Sequence, residues 1–135
     1  MAMQFSVAVR NARLDAIETT IGTSARLMIF TGTKPANCAA ADSGTLLATL
    51  VLPSDYMDAA SGGAKSKSAT AWTADASVTG TAGHFRFKDS SSTTTHIQGT
   101  ITAVGGSGDL WLDSVSLVSG QPVTVSTCVW SEGGA

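Results

Sequence analysis

Along SVAVRNARLDAIETTIG, the apolar residues Val7, Leu14, Ile17 and Ile21 recur at helical spacing. Arg10, Asn11, Asp15 and Glu18 take the other side and Gly22 supplies a stop signal, so the pattern predicts a helix over residues 6–21. The period then changes. ARLMIFT (25–31) and TLLATLVL (45–52) are apolar at successive positions, as strands covered on both faces are. One cover is the core; the other is expected to be the amino-terminal helix. A loop carrying Pro35 and Gly44 separates these strands, and the irregular stretch SDYMDAASGGAKSKSATAW follows Pro53. Around Gly62 and Gly63 that stretch has little side-chain area to offset backbone entropy, and it is expected to be mobile and to order on contact with a partner.

Strict alternation marks the second half. GHFRFKD places Phe85 and Phe87 on one face and His84, Arg86 and Lys88 on the other. HIQGTITAV turns Ile97, Ile101 and Ala103 inward and His96, Gln98, Thr100 and Thr102 outward, and DSSSTTT connects the two runs as a hairpin loop. Symmetric pairing about Ser90 would set His84 opposite His96. DLWLD puts Leu110 and Leu112 on one side and Trp111 on the other. SLVSGQPVTVSTCVW points Val123, Val125 and Val129 in, with Thr124, Ser126, Cys128 and Trp130 facing the opposite way. Short strands divided by Gly/Ser turns predict a mainly β fold, a β-sandwich or jelly roll over 25–131 with one amino-terminal α-helix, as a single domain over 1–135.

Composition narrows the functional classes. Charged residues make up 13% of the chain, about half the usual ~25%, which gives a neutral, hydroxyl-rich exterior suited to burial against a partner. A net charge of −2 offers no basic patch for nucleic acid. No apolar run approaches the ~20 residues of a membrane helix, and MAMQFSVAVRN lacks a secretory pattern, so the chain is expected to be made and kept in a cytoplasm. There Cys38 and Cys128 are expected to stay free thiols.

Candidate chemistry is sparse. His84 and His96 lack a third ligand on adjacent outward positions, so they are expected to be solvated with no metal bound; the stripe His84, Arg86, Lys88 is likewise expected to be a solvated face. Asp55, Asp58, Asp75, Asp89, Asp109 and Asp113 scatter through loops and strand ends, where Asp ordinarily caps turns. SGGAK and AVGGSGD lack the context of a phosphate loop. The expectation is no enzyme and no cofactor. Trp111 and Trp130 stand out because an outward Trp needs a covering surface, either within the chain or on a partner. Tyr56 and Met57, in the irregular stretch, join them as interface candidates; the side taken by Trp72 is left open.

QFSVAVRNARLDAIETTIGTS, TGTKPANCAAADSGTLLATLVLPSDYM, and TGTAGHFRFKDSSSTTTHIQGTIT followed by GGSGDLWLDS carry a resemblance that runs from residue 3 to about 131. With these strings the chain resembles small virion proteins of tailed bacteriophages and prophages, most like the head-decoration or cement type. The resemblance implies a jelly roll bound to the outside of the capsid, located in the virion, with the major capsid protein, copies of itself, or both as partners, and a homo-oligomer is expected. It brings no catalytic motif. Two alternatives stay open, a tail or head-to-tail connector component and a carbohydrate-binding module at the tail tip.

Overall fold

Ser6 opens helix α1 (Val7–Ile21): its extended backbone lets Oγ accept from the Val9 N–H at 3.3 Å, and Gly22, at φ 85, closes the helix by donating its N–H to the Glu18 carbonyl at 2.9 Å. The computed structural model describes residues 3–133, so residues 1, 2, 134 and 135 of the domain expected over 1–135 lie outside the described residues. The helix sits where the periodicity places it, but it covers a different neighbour. Leu14 and Ile21 are buried, while Asn11, Asp15 and Glu18 accept the backbone N–H groups of Gly63 (2.9 Å), Ala60 (3.0 Å) and Met57 (3.2 Å). The stretch after Pro53 is thereby strapped to the helix's polar side. The expectation of a mobile segment gives way, because the acceptors that order it come from the helix and not from its own small side chains.

Among the described residues ten strands follow the helix: β1 (Arg26–Thr31), β2 (Leu46–Val51), β3 (Ala64–Ser66), β4 (Thr73–Asp75), β5 (Gly80–Lys88), β6 (Thr95–Ala103), β7 (Leu110–Leu112), β8 (Ser116–Leu117), β9 (Pro122–Thr127) and β10 (Val129–Ser131). With 40% strand and a single helix the fold is mainly β. Eight strands form one sheet in the order β2-β1-β5-β6-β7-β9-β4, with β8 beside β5; β10 and β3 form a separate ribbon. The sheet is nearly closed. Beyond β4 the Ser77 N–H donates to the Leu47 carbonyl of β2 at 2.8 Å, so the two ends of the strand order approach each other.

The inner face carries the core: Leu27 and Ile29 of β1, Leu50 of β2, Phe85 and Phe87 of β5, Leu110 and Leu112 of β7, and Val123 and Val125 of β9. Trp72 lies in its middle, edge-on to Tyr56 and Phe87.

Two registers differ from the alternating pattern. In the β5–β6 hairpin His84 faces Thr100, not His96, and a bulge interrupts pairing at Phe87/Lys88. The cause is the turn. Asp89 accepts from the amides of Thr93 (3.0 Å) and Thr94 (3.3 Å), and Ser92 takes φ 61, which makes the loop longer on the Thr side than symmetric pairing about Ser90 allows. At the carboxyl end, β9 leaves the large sheet at Thr127 and β10 pairs with β3, Trp130 opposite Lys65. That change of partner buries Cys128, exposes Val129 and turns Trp130 toward Phe87, reversing all three expected directions.

Candidate functional site

The outer face of β1 and β5 is the main departure from the sequence pattern. Cross-strand register sets Phe30 beside His84, Met28 beside Arg86 and Arg26 beside Lys88. His84, Arg86 and Lys88, expected to be solvated, are 0%, 1% and 6% exposed. Their cover is the loop of residues 32–44, which takes the place expected for the helix. The His84 Nδ1 meets the Gly32 carbonyl at 2.9 Å, and Gln98 donates to the Pro35 carbonyl at 2.7 Å. Arg86 donates to the carbonyls of Asn37 (3.2 Å) and Cys38 (3.0 Å). The Asn37 side chain in turn accepts the amides of Ala39 and Ala40, which fixes the turn that presents those carbonyls. Backbone comes very close at the loop's start: a Cβ on Gly83 would run into the carbonyl oxygen and amide nitrogen of Gly32.

Asp42 ties the arrangement together. One carboxylate oxygen accepts from Arg86 Nη1 at 2.5 Å and the other from Lys88 Nζ at 2.6 Å. Partial burial pushes the Asp42 carboxyl up, and the hydrogen bonds from Lys88 and Arg86 outweigh it, holding the group below its ordinary value. Two buried cations thus share one carboxylate. Lys88 and Arg86 also line a pocket of about 570 Å³, walled by residues 38–42 on one side and by Thr93, Thr94 and Thr95 of the hairpin on the other. Arg86 Nε, His84 Nε2 and Gln98 Oε1 are buried without a hydrogen-bond partner.

A second buried cation fastens the helix. Lys65, 3% exposed, bonds Asp15 at 2.7 Å, Glu18 at 2.9 Å and the Asp58 carbonyl at 2.9 Å. Burial opposes its charge; the hydrogen bonds it donates to Asp15 and Glu18 prevail and raise its pKa.

The interface candidates part company. Tyr56 and Met57 are 0% and 1% exposed and belong to the core, so they present no surface to a partner. Trp130 is half-buried and packs edge-on against Phe87, with ring centroids 5.6 Å apart. Trp111 is also half-buried but opens onto a groove with Gly108, Asp109, Thr127 and Val129; its indole N–H donates to the Gly106 carbonyl at 3.1 Å. Only Trp111 combines a large apolar side chain with an open neighbourhood, next to Val129 at 46% exposed. Among the described residues, no three His, Cys, Asp or Glu side chains converge as metal ligands would.

Cys38 and Cys128 are both free thiols. Burial pushes the Cys128 thiol up to about 12, whereas Cys38 is partly exposed in the loop over Arg86. A thiol reagent is therefore expected to modify Cys38 alone in the folded protein and both cysteines after unfolding. Rapid modification of Cys128 under native conditions, located by mass spectrometry, would contradict this placement.

Asp42 and Lys65 carry chemistry that the sequence pattern does not signal, and Arg86 and Lys88, expected on a solvated face, are buried instead. Comparison of the chain with models of known protein families, with curated proteins and with solved structures found no match.

Proposed function

We propose that this chain is a non-enzymatic structural protein of a tailed-phage virion, a decoration or cement protein that stabilises the capsid shell by burying area across its subunits. The observation that carries the reading is where the charge goes. Of eight Lys and Arg, Lys65, Arg86 and Lys88 lie inside as fasteners. The outside is left even less charged than the composition implies, dominated by Ser, Thr, Gly and Ala. Such a face loses little hydration when covered, and binding confined to the assembled lattice stabilises that lattice by mass action. The strapped loops give a rigid partner that orders few residues on docking. A jelly roll, expected from the strand pattern and implied again by the resemblance, is part of this proposal: a nearly closed sheet around one core is compatible with it.

The contact assigned to Trp111 makes the proposal testable. Trp111→Ala should weaken binding to purified capsid shells at least tenfold with little change in the melting temperature, as expected of an aromatic hot spot worth ~2 kcal/mol. Trp130→Ala should instead lower the melting temperature while the folded fraction still binds. If the chain is absent from purified particles of the phage that encodes it, or if it binds no shell, the reading fails.

A further inference from the structure

We infer that the pocket between residues 38–42 and Thr93–Thr95 is a binding site for one carboxylate group, held by Lys88. Charge balance is the first argument. Arg86 and Lys88 are 1% and 6% exposed, and among the described residues Asp42 is the single carboxylate bonded to them, so the buried pair keeps one uncompensated positive charge. Arg26, opposite Lys88 in the register of β1 and β5, does not enter this count: it is half-buried, donates to the Ser90 carbonyl at 3.3 Å and is not among the residues that line the pocket. The neighbouring Asp89 forms no ion pair with either cation: its carboxylate is turned into the hairpin turn, where it accepts from Ser91, Thr93 and Thr94.

Unused donors are the second argument. An ammonium group has three hydrogens, and the Lys88 ammonium is bonded to a single partner, Asp42 Oδ2. Arg86 Nε is buried with no partner. Both side chains line the pocket, which also carries the Thr93, Thr94 and Thr95 segment on its far wall. Arg86 Nε is enclosed and adds only to the local positive charge; the Lys88 ammonium, with hydrogens to spare at the wall of a roomy cavity, is the group an anion would complete. Charge selects the kind. One unit of negative charge neutralises the site, whereas a phosphate at about −1.5 to −2 would over-compensate it and be repelled by the Asp42 carboxylate in the same wall. The group can come from a small free carboxylic acid or from an Asp or Glu side chain of a protein.

The inference stands apart from the virion reading, because its test uses the isolated protein. The full chain is titrated with sodium acetate, and separately with a neutral-ended peptide bearing one Glu, against sodium chloride at equal ionic strength. Near ten times the Kd, either carboxylate is expected to raise the melting temperature by roughly 3 to 6 °C over chloride. Amide NMR shifts should be confined to residues 38–42 and 93–95. Lys88→Met should abolish both effects. Response to acetate alone identifies a free acid as the occupant, and response to the peptide identifies a protein side chain. Should Lys88→Met not fold, the wild-type shift map decides on its own. No carboxylate-specific rise, or shifts spread away from this pocket, would overturn the inference.

Discussion

Replacing Asp42 by Ala is expected to destabilise the fold by about 3 kcal/mol, a large share of the ~5–15 kcal/mol that holds a typical domain together. The magnitude comes from what is left behind. Asp42 itself is about a third exposed, at 36%, so its own attraction to solvent-screened charge is modest. Arg86 and Lys88 are buried, and removing the carboxylate leaves both cations without a counter-charge. The loss falls at the low end of the ~3–5 kcal/mol for breaking a buried pair, because Arg86 keeps the carbonyls of Asn37 and Cys38. Urea unfolding measures it. The triple variant Asp42→Ala, Arg86→Met, Lys88→Met should recover much of the loss, since apolar groups can replace a buried ionic cluster. A loss below ~1 kcal/mol for Asp42→Ala alone would mean that the loop of residues 32–44 does not depend on the clamp.

The pH dependence of the same variant has a fixed sign. With its folded-state pKa depressed by Lys88 and Arg86, Asp42 contributes fully above its unfolded value and loses that contribution as pH falls through the folded one. Wild type and Asp42→Ala should therefore differ most near neutrality and converge in acid. A constant difference across that range would place the effect in packing.

The clamp shows why one half of the pattern was legible and the other was not. Alternation in GHFRFKD correctly separates Phe85 and Phe87 from His84, Arg86 and Lys88. Period alone tells sides apart; it does not say what covers each side. The missing cover is residues 32–44, whose Asn, Ala and Ser composition resembles an ordinary surface loop. A signal for it did exist. Apolar residues at successive positions in 25–31 demand a second cover, and any strand paired to that segment shares it. The loop between β1 and β2 holds one acid, Asp42, which is the counter-charge that Arg86 and Lys88 need. The helix, by contrast, was legible in its bounds and misplaced in its contacts. Asn11, Asp15 and Glu18 lie on one stripe and resemble a solvated face, yet they accept the backbone amides of the 57–63 segment. Polar stripes of this kind are ambiguous because loop backbone is as good a partner for them as water. Tyr56 and Met57 follow from the same misreading: a segment anchored at both the helix and the core carries its large side chains inward.

Trp72→Ala is expected to cost about 4 kcal/mol, within the ~3–5 kcal/mol range for truncating an enclosed aromatic, and to lower the melting temperature by more than 10 °C. Trp72 is 1% exposed and meets Tyr56 and Phe87 edge-on at 6.2 and 6.0 Å, while the Lys67 ammonium lies 5.4 Å from its ring centre. Its neighbours are held elsewhere: Phe87 also packs on Phe85 and Trp130, and the Trp72 carbonyl accepts the Val125 amide at 3.1 Å, which anchors the backbone beside β9. Walls fixed in this way cannot collapse into the space the indole leaves, so the cavity term adds to the lost burial. The indole N–H provides a control, because it is buried without a hydrogen-bond partner. Trp72→Phe removes that unsatisfied donor along with one ring, so part of the lost packing is offset and the cost should be about 1 to 2 kcal/mol. Denaturant unfolding of the two variants separates the contributions. Equal losses for Phe and Ala would show that the ring at this position is not what fills the core, and a Trp72→Ala protein melting within a degree or two of wild type would remove Trp72 from the centre of the fold.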